Sequence, residues 1–287
     1  MSSKLNNLLL PTAHYSLPTK AMLDKINVQD IVALSKQAGE AIMAIYQKDF
    51  EVEFKADESP LTEADKAAHH IIEAGLLALD QQNGTQIPIL SEEGKGIPYE
   101  ERKNWEYFWL VDPVDGTKEF VKKNGEFTVN IALIHKDTPV LGIVYAPALN
   151  ETYWAKQGEG AYKQETIDNQ LQTVKLPKTK VRKDGELIVV ASKSHMSPET
   201  KTFIDDYAAN YPLLTTHSIG SSLKICLVAE GEADIYPRLG PTMEWDTGAA
   251  HAIVSEAGLQ LQKYENETYA KHAYNKENLL NGWFIVG

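Results

Sequence analysis

An α+β half followed by an α/β half, packed as layers of sheet and helix, is the fold class that three features of this 287-residue chain predict. Two long stretches near the start repeat apolar residues at helical spacing. Between residues 107 and 163 the chain is a succession of short apolar runs broken by turn residues. From Glu186 onward, strand-like and helix-like segments alternate. The polar, charged stretch 164–186 reads as a join between a first half over 26–185 and a second over 186–287, with 1–25 as an N-terminal leader whose Met1–Thr19 is either irregular or an arm packing on a neighbour.

The elements follow in order. Asn27 is an N-cap, and Val28, Ile31, Val32, Ala38, Ile42 and Ile45 lie at helical spacing as far as Tyr46. Glu51–Lys55 alternates as a half-exposed strand does, and 57–61 is a turn. Thr62 caps a second helix that buries Ala67, Ala68, Ile71, Ile72, Leu76 and Leu79, with Asp65 at the capping-box position three residues on. Ile87–Leu90 is a short strand ending in Ser91-Glu92-Glu93-Gly94. Phe127–His135 and Val140–Tyr145 are neighbouring strands, and Glu151–Lys156 with Gly160–Lys163 a hairpin. In the second half, Leu187–Ala191 is a buried strand and Ser197-Pro198 opens a helix. Leu213–Ser218 is a strand, Ser221–Ala229 a helix ended by Gly231, and Ala233–Tyr236 a strand. Asp246 opens a helix through Glu256 that Gly258 ends, and Trp283–Val286 closes the chain.

Composition narrows the function. Apolar residues make up 43% and charged residues 24%, as in a soluble enzyme. A formal net charge of −12 disfavours free nucleic acid and anionic membrane surfaces as partners. No run approaches the roughly 18 apolar residues of a membrane span, so no integral membrane segment is expected. The single cysteine, Cys226, rules out an internal disulfide framework and matches a reducing, cytoplasmic setting.

The stretch richest in chemistry is Trp109-Leu110-Val111-Asp112-Pro113-Val114-Asp115-Gly116-Thr117. A buried-type strand runs into two carboxylates three residues apart. Pro113 stiffens the turn, Gly116 permits close backbone approach, and Thr117 offers a hydroxyl and an N–H where a helix can begin. Such a set suits a hard cation that itself holds a phosphate, while Asp-Pro and Asp-Gly are also ordinary turn chemistry. Glu92-Glu93, Asp246 and Asp65 share the pattern of acids at the tip of an apolar element. Glu256, nearly three turns beyond Asp246, reads as structural.

Asp112-Pro113-Val114-Asp115-Gly116-Thr117 with Phe120, followed about 130 residues later by Trp245-Asp246-Thr247-Gly248-Ala249-Ala250 and Glu256-Ala257-Gly258, resembles the inositol monophosphatase-like family. That resemblance implies a layered α/β/α/β/α sandwich and a lithium-sensitive, Mg²⁺-dependent phosphatase with two or three ions. By the same resemblance Glu92, Asp112, the Val114 carbonyl, Asp115 and Asp246 are metal ligands, and Asp65 with Thr117 orients and deprotonates the nucleophilic water. Glu93 stands beside the ligands. The charge count agrees, because five carboxylates in one pocket repel a phosphate ester unless divalent ions reverse the field.

Within that family, Val190-Ala191-Ser192-Lys193-Ser194-His195, Gly220-Ser221-Ser222-Leu223-Lys224 and Tyr236-Pro237-Arg238-Leu239-Gly240-Pro241-Thr242 resemble the 3'(2'),5'-bisphosphate nucleotidases, with Lys193 where arginine is common. The resemblance implies Gly116, Thr117, His195, Ser221, Lys224 and Arg238 as substrate contacts, the two cations serving a second phosphate. The implied partner is a small nucleotide bisphosphate. The implied reaction is hydrolysis of 3'-phosphoadenosine 5'-phosphate to AMP and phosphate by in-line attack of metal-activated water, a step of sulfate assimilation. An inositol monophosphate phosphatase and a non-catalytic nucleotide sensor are the alternatives.

Overall fold

The structure, a computed structural model, describes residues 17–47, 52–54, 60–178, 183–191 and 196–287. Leu17–Thr19, within the stretch read as an irregular leader or an arm, begin a helix, α1 (Leu17–Leu23), and residues 1–16 lie outside the described set. Asn27 caps α2 (Val28–Tyr46) by accepting the Gln29 N–H, as its sequence predicts. β1 (Val52–Phe54) pairs antiparallel with β2 (Pro60–Thr62), which leads into α3 (Glu63–Asn83); the capping hydroxyl of Thr62 lies outside the described side chains.

A seven-stranded sheet forms the centre. Its strands are β3 (Ile89–Ser91), β4 (Tyr107–Asp115), β5 (Thr128–His135), β6 (Thr138–Ala146), β7 (Glu151–Lys156), β8 (Gly160–Ile167) and β9 (Gln170–Lys175), side by side in chain order. β3 and β4 run parallel and the remaining neighbours antiparallel. Two short helices, α4 (Tyr99–Arg102) and α5 (Thr117–Val121), flank β4 in the chain. The polar stretch after Lys163 is therefore mostly sheet. β8 continues to Ile167, Asp168 and Asn169 turn the chain with φ of 51° and 60°, and β9 adds the edge. That edge strand is exposed along most of its length, so it carries no apolar alternation by which its sequence announces a strand.

The second half adds β10 (Glu186–Val190), α6 (Pro198–Ala208), β11 (Leu213–His217), α7 (Leu223–Glu230), β12 (Tyr236–Arg238), β13 (Thr242–Met243) and α8 (Gly248–Glu256). β14 (Leu261–Glu265), β15 (Thr268–Lys271), β16 (Leu280–Asn281) and β17 (Phe284–Val286) follow. Three boundaries differ from the sequence reading. Ser221 has φ of 50°, outside the helical region, so α7 begins at Leu223. α8 begins at Gly248, because Asp246 accepts the Met243 N–H and stands before the helix. β12 begins at Tyr236, and Asp234 just before it takes the Ile188 N–H on its carboxylate.

Layering follows from which face each apolar side chain uses. Along β4, Trp109 and Val111 pack with α2 and α3, whereas Phe108 and Leu110 pack with α7 and α8. Both faces of the central sheet are thus buried, each fully covered side chain contributing roughly 1.5–3 kcal/mol. Val189 bridges Ile235, joining the β10–β11 pair to the β12-β17-β14-β15 sheet. Ile188 and Val190 of that second sheet face α7 and α8, while Leu187, Val189 and Ile285 face Ile204 of α6. The order is helices, sheet, helices, sheet, helix: an α/β/α/β/α sandwich. Among the described residues no helix is long and apolar enough to cross a membrane.

Candidate active site

The site gathers where β3 and β4 end, because parallel neighbours bring their carboxyl ends together. Ser91 pairs with Val111, and the Glu92 N–H donates to the Val111 carbonyl, so Glu92 arrives beside Asp112. Side chains three apart on a regular strand point to opposite faces. Here the pairing of β4 with β5 steps from Asp112↔Asn130 to Asp115↔Thr128, one extra residue on β4. This bulge re-aims Asp115 so that both acids meet the same space. The Val114 N–H closes the turn on Asp112 Oδ1 at 3.1 Å.

Asp246 comes from the loop before α8, and two glycines let that helix sit hard on the sheet. A Cβ at Gly142 would stand 2.1 Å from the Ala249 carbonyl oxygen, and one at Gly248 would stand 2.9 Å from Leu110 Cδ2. Asp112, Asp115 and Asp246 each offer a carboxylate oxygen, all within 4.8 Å of one another. Burial raises the pKa of Asp112 well above the usual carboxylate range, and Glu92, Asp115, Asp246 and Asp65 raise it further. Asp246 is also raised by burial and then by Asp115, against the opposing Met243 N–H. The structure therefore brings Asp65, Glu92, Asp112, Asp115 and Asp246 into one electrostatic cluster. No lysine or arginine among the described residues is ion-paired with Asp112, Asp115 or Asp246. An all-oxygen set of acids of this kind fits a hard divalent cation.

Asp65 is 1% exposed, in the first turn of α3. The Thr117 hydroxyl points to the Val114 carbonyl at 3.4 Å, and α5, which Thr117 opens, packs against β2 just before α3. Gly116 caps α5 with φ of 92°; a Cβ there would lie 2.6 Å from Ser221 Oγ, so only glycine admits the second-half loop.

Ser222, Asn130 and Glu126 were not singled out by the sequence. Asp115 Oδ2 accepts the Ser222 N–H at 2.7 Å, the Ser222 hydroxyl lies 2.9 Å from it, and Asn130 Nδ2 lies 3.3 Å away. Asn130 also donates to Ser222 Oγ at 2.8 Å, and Ser222 Oγ lies 2.7 Å from the Asp246 carbonyl. Glu126 accepts the Gly220 N–H at 2.8 Å, holding the same loop. The available signal was Asn130 itself, a lone amide inside the apolar run Val129–Leu133.

A cleft of about 480 Å³ opens beside the acids, lined among others by Asp115, Gly116, Ser221, Lys224, Arg238 and Asp246. Burial lowers the pKa of Lys224 and Arg238 lowers it further, while Asp115, Glu119 and Asp246 oppose the shift. Arg238 donates through Nη2 to the Pro241 carbonyl at 2.9 Å, and its buried Nε has no hydrogen-bond partner among the described residues. Two cations in one wall, one with an unused donor, suit an anionic group. His195 lies outside the described residues.

The residue pattern of the Inositol monophosphatase family matches residues 23–282. The chain is 46% identical over 262 residues to the 3'(2'),5'-bisphosphate nucleotidase CysQ of Salmonella typhimurium, covering 90% of this chain and 98% of that protein. It is 45% identical to the protein of the same name from Escherichia coli K12, with the same coverage. The crystal structure of CysQ from Bacteroides thetaiotaomicron, described as a bacterial member of the inositol monophosphatase family, superposes with a TM-score of 0.76 at 45% identity over 94% of this chain and 97% of that one.

Proposed function

Because the chain belongs to the inositol monophosphatase family, we propose that it hydrolyses the 3'-phosphate of 3'-phosphoadenosine 5'-phosphate, giving AMP and phosphate. The observation that carries this reading is the cleft itself. It joins Asp115 and Asp246 to Lys224 and Arg238, so one anionic group can reach the acids' cations while a second meets the basic wall. Its volume of about 480 Å³ suits a nucleotide. The bisphosphate nucleotidase relatives support the same substrate.

In the proposed mechanism Glu92, Asp112, the Val114 carbonyl, Asp115 and Asp246 would hold Mg²⁺, two or three ions, whose chemistry would be to offset the carboxylate charge, polarise the phosphate and acidify water. Asp65, buried where its charge acts on Asp112, takes the proton of the attacking water through the Thr117 hydroxyl. Gly116 leaves room for the phosphate beside the α5 start, Ser221 lines the cleft while its hydroxyl donates to the Glu126 and Asp115 carbonyls and holds the loop, and His195 meets the sugar or base. Lys224 and Arg238, both lining the cleft, hold the 5'-phosphate.

Phosphate release on a panel of 3'-phosphoadenosine 5'-phosphate, 2'-AMP and inositol 1-phosphate, with Mg²⁺ and with excess chelator, tests the reading. Turnover of the bisphosphate above the others, lost in chelator, is expected. In Arg238→Ala, KM for the bisphosphate should rise about 10- to 100-fold, with little change for a monophosphate. An equal effect on both substrates would replace this reading with a simple monophosphatase.

A further inference from the structure

One turn beyond Asp65 on α3, the buried His69 meets two exposed neighbours, His70 and Glu73, where the buried face of the helix gives way to solvent. His69, His70 and Glu73 each offer a ligand atom, all within 4.8 Å of one another. Glu73 stands four residues after His69 and three after His70, so helical geometry sets its carboxylate over both rings. We propose that these residues form a binding site for a borderline divalent cation of the Zn²⁺ class, separate from the carboxylate cluster.

Two further features support the site. His69 is nearly buried, and its Nδ1 is fixed by Ser91 Oγ at 3.0 Å. A ligating histidine commonly has its second nitrogen held in this way, which sets the ring and turns the other nitrogen outward. That other nitrogen, Nε2, lies 4.0 Å from Glu73 Oε2. The gap is too long for a hydrogen bond, and two ligands of one tetrahedral ion at about 2.0–2.2 Å each stand roughly 3.3–3.6 Å apart, so the exposed Glu73 carboxylate must close by about half an ångström to share an ion with His69. His70 and Glu73 are exposed and free to turn the last fraction of an ångström, and the two rings lie 5.6 Å apart at 50°.

The donor types separate the two sites. Asp112, Asp115 and Asp246 supply oxygen alone and suit Mg²⁺, whereas two imidazoles and a carboxylate favour Zn²⁺, Cu²⁺ or Ni²⁺. Three protein ligands on one side leave the remaining positions to water. The ion would sit next to the machinery without sharing a ligand with it, since Ser91, which holds His69, directly precedes Glu92.

Cu²⁺ is the probe, added to the full-length, untagged protein in excess Mg²⁺, because its electron paramagnetic resonance distinguishes nitrogen from oxygen ligands. The expected result is one Cu²⁺ per chain showing two-nitrogen coupling, with Zn²⁺ competing for the same place in calorimetry. His70→Ala and Glu73→Gln change exposed side chains outside the catalytic cleft. Each should keep its Mg²⁺-dependent phosphate release and melting temperature while its Cu²⁺ affinity falls by about tenfold or more. Oxygen-only coupling in the unaltered protein, or unchanged affinity in both variants, would overturn the site. Neither outcome depends on the identity of the phosphorylated substrate.

Discussion

Asp115 holds its position through contacts from both halves of the chain. Its Oδ2 takes the Ser222 N–H at 2.7 Å and has Asn130 at 3.3 Å, which leaves Oδ1 for an ion. Removing the Ser222 hydroxyl frees the carboxylate to rotate while the backbone N–H still tethers it. Ser222→Ala should therefore raise the Mg²⁺ concentration for half-maximal activity about tenfold. KM at saturating metal should stay near its original value, and metal titrations of initial rate would show this. Asp112 gives the opposite balance of stability and function. Buried among four other acids, its charge is costly to the empty site. Asp112→Asn should abolish phosphate release, yet in chelator at pH 8 it should raise Tm by a few degrees, from about 1–2 kcal/mol. A melting scan that shows a lower Tm for the variant would refute that cost.

At the scale of the element, α8 matters because Asp246 is attached to its start. The helix approaches β6 so closely that a Cβ on Gly142 would strike the Ala249 carbonyl, a backbone atom that no rotamer change can move. Gly142→Ala should cost about 1–3 kcal/mol and lower activity more than that loss explains, since the shifted helix carries Asp246 with it. Denaturant unfolding beside metal-titrated rates separates the two effects. Legibility also differs by element. Helices with one buried stripe, such as Val28–Tyr46, were plain in the sequence, and so was β4, buried on both faces. β9 was not, because a strand exposed on both faces has no reason to alternate. Likewise the Ser221–Ala229 reading began the helix two residues early, since nothing in the order Ser-Ser-Leu-Lys tells that Ser221 must take φ of 50° and Ser222 must turn toward Asp115.

For the whole molecule, the interior sets the response to pH. Burial first, then Lys276, lowers the His272 pKa to about 3, and burial with His272 and Lys271 lowers His251 well below its usual value. A histidine kept neutral in the fold takes up its proton only on unfolding. This stability is complete above about 6.5 and is lost as pH falls toward the folded value, at roughly 1.4 kcal/mol per unit for each ring. In saturating Mg²⁺, Tm should fall between pH 6.5 and 5, and His272→Gln should have a shallower slope. Parallel slopes would show that the ring already shares its proton with the fold.

The candidate site residues can be picked out in order along the chain. Asp112-Pro113-Val114-Asp115-Gly116-Thr117 is by itself also ordinary turn chemistry, and it is its occurrence in order with Trp245-Asp246-Thr247-Gly248 that marks both as candidates. Net charge and the lone cysteine likewise needed no coordinates. Convergence was decided only in three dimensions. The bulge that turns Asp115 to the side of Asp112 arises from the register of β4 on β5, and Ser222 becomes its anchor through a contact 107 residues away. Spacing in a chain records what neighbours can do along one element, whereas pairing register and helix seating depend on every layer packed against it.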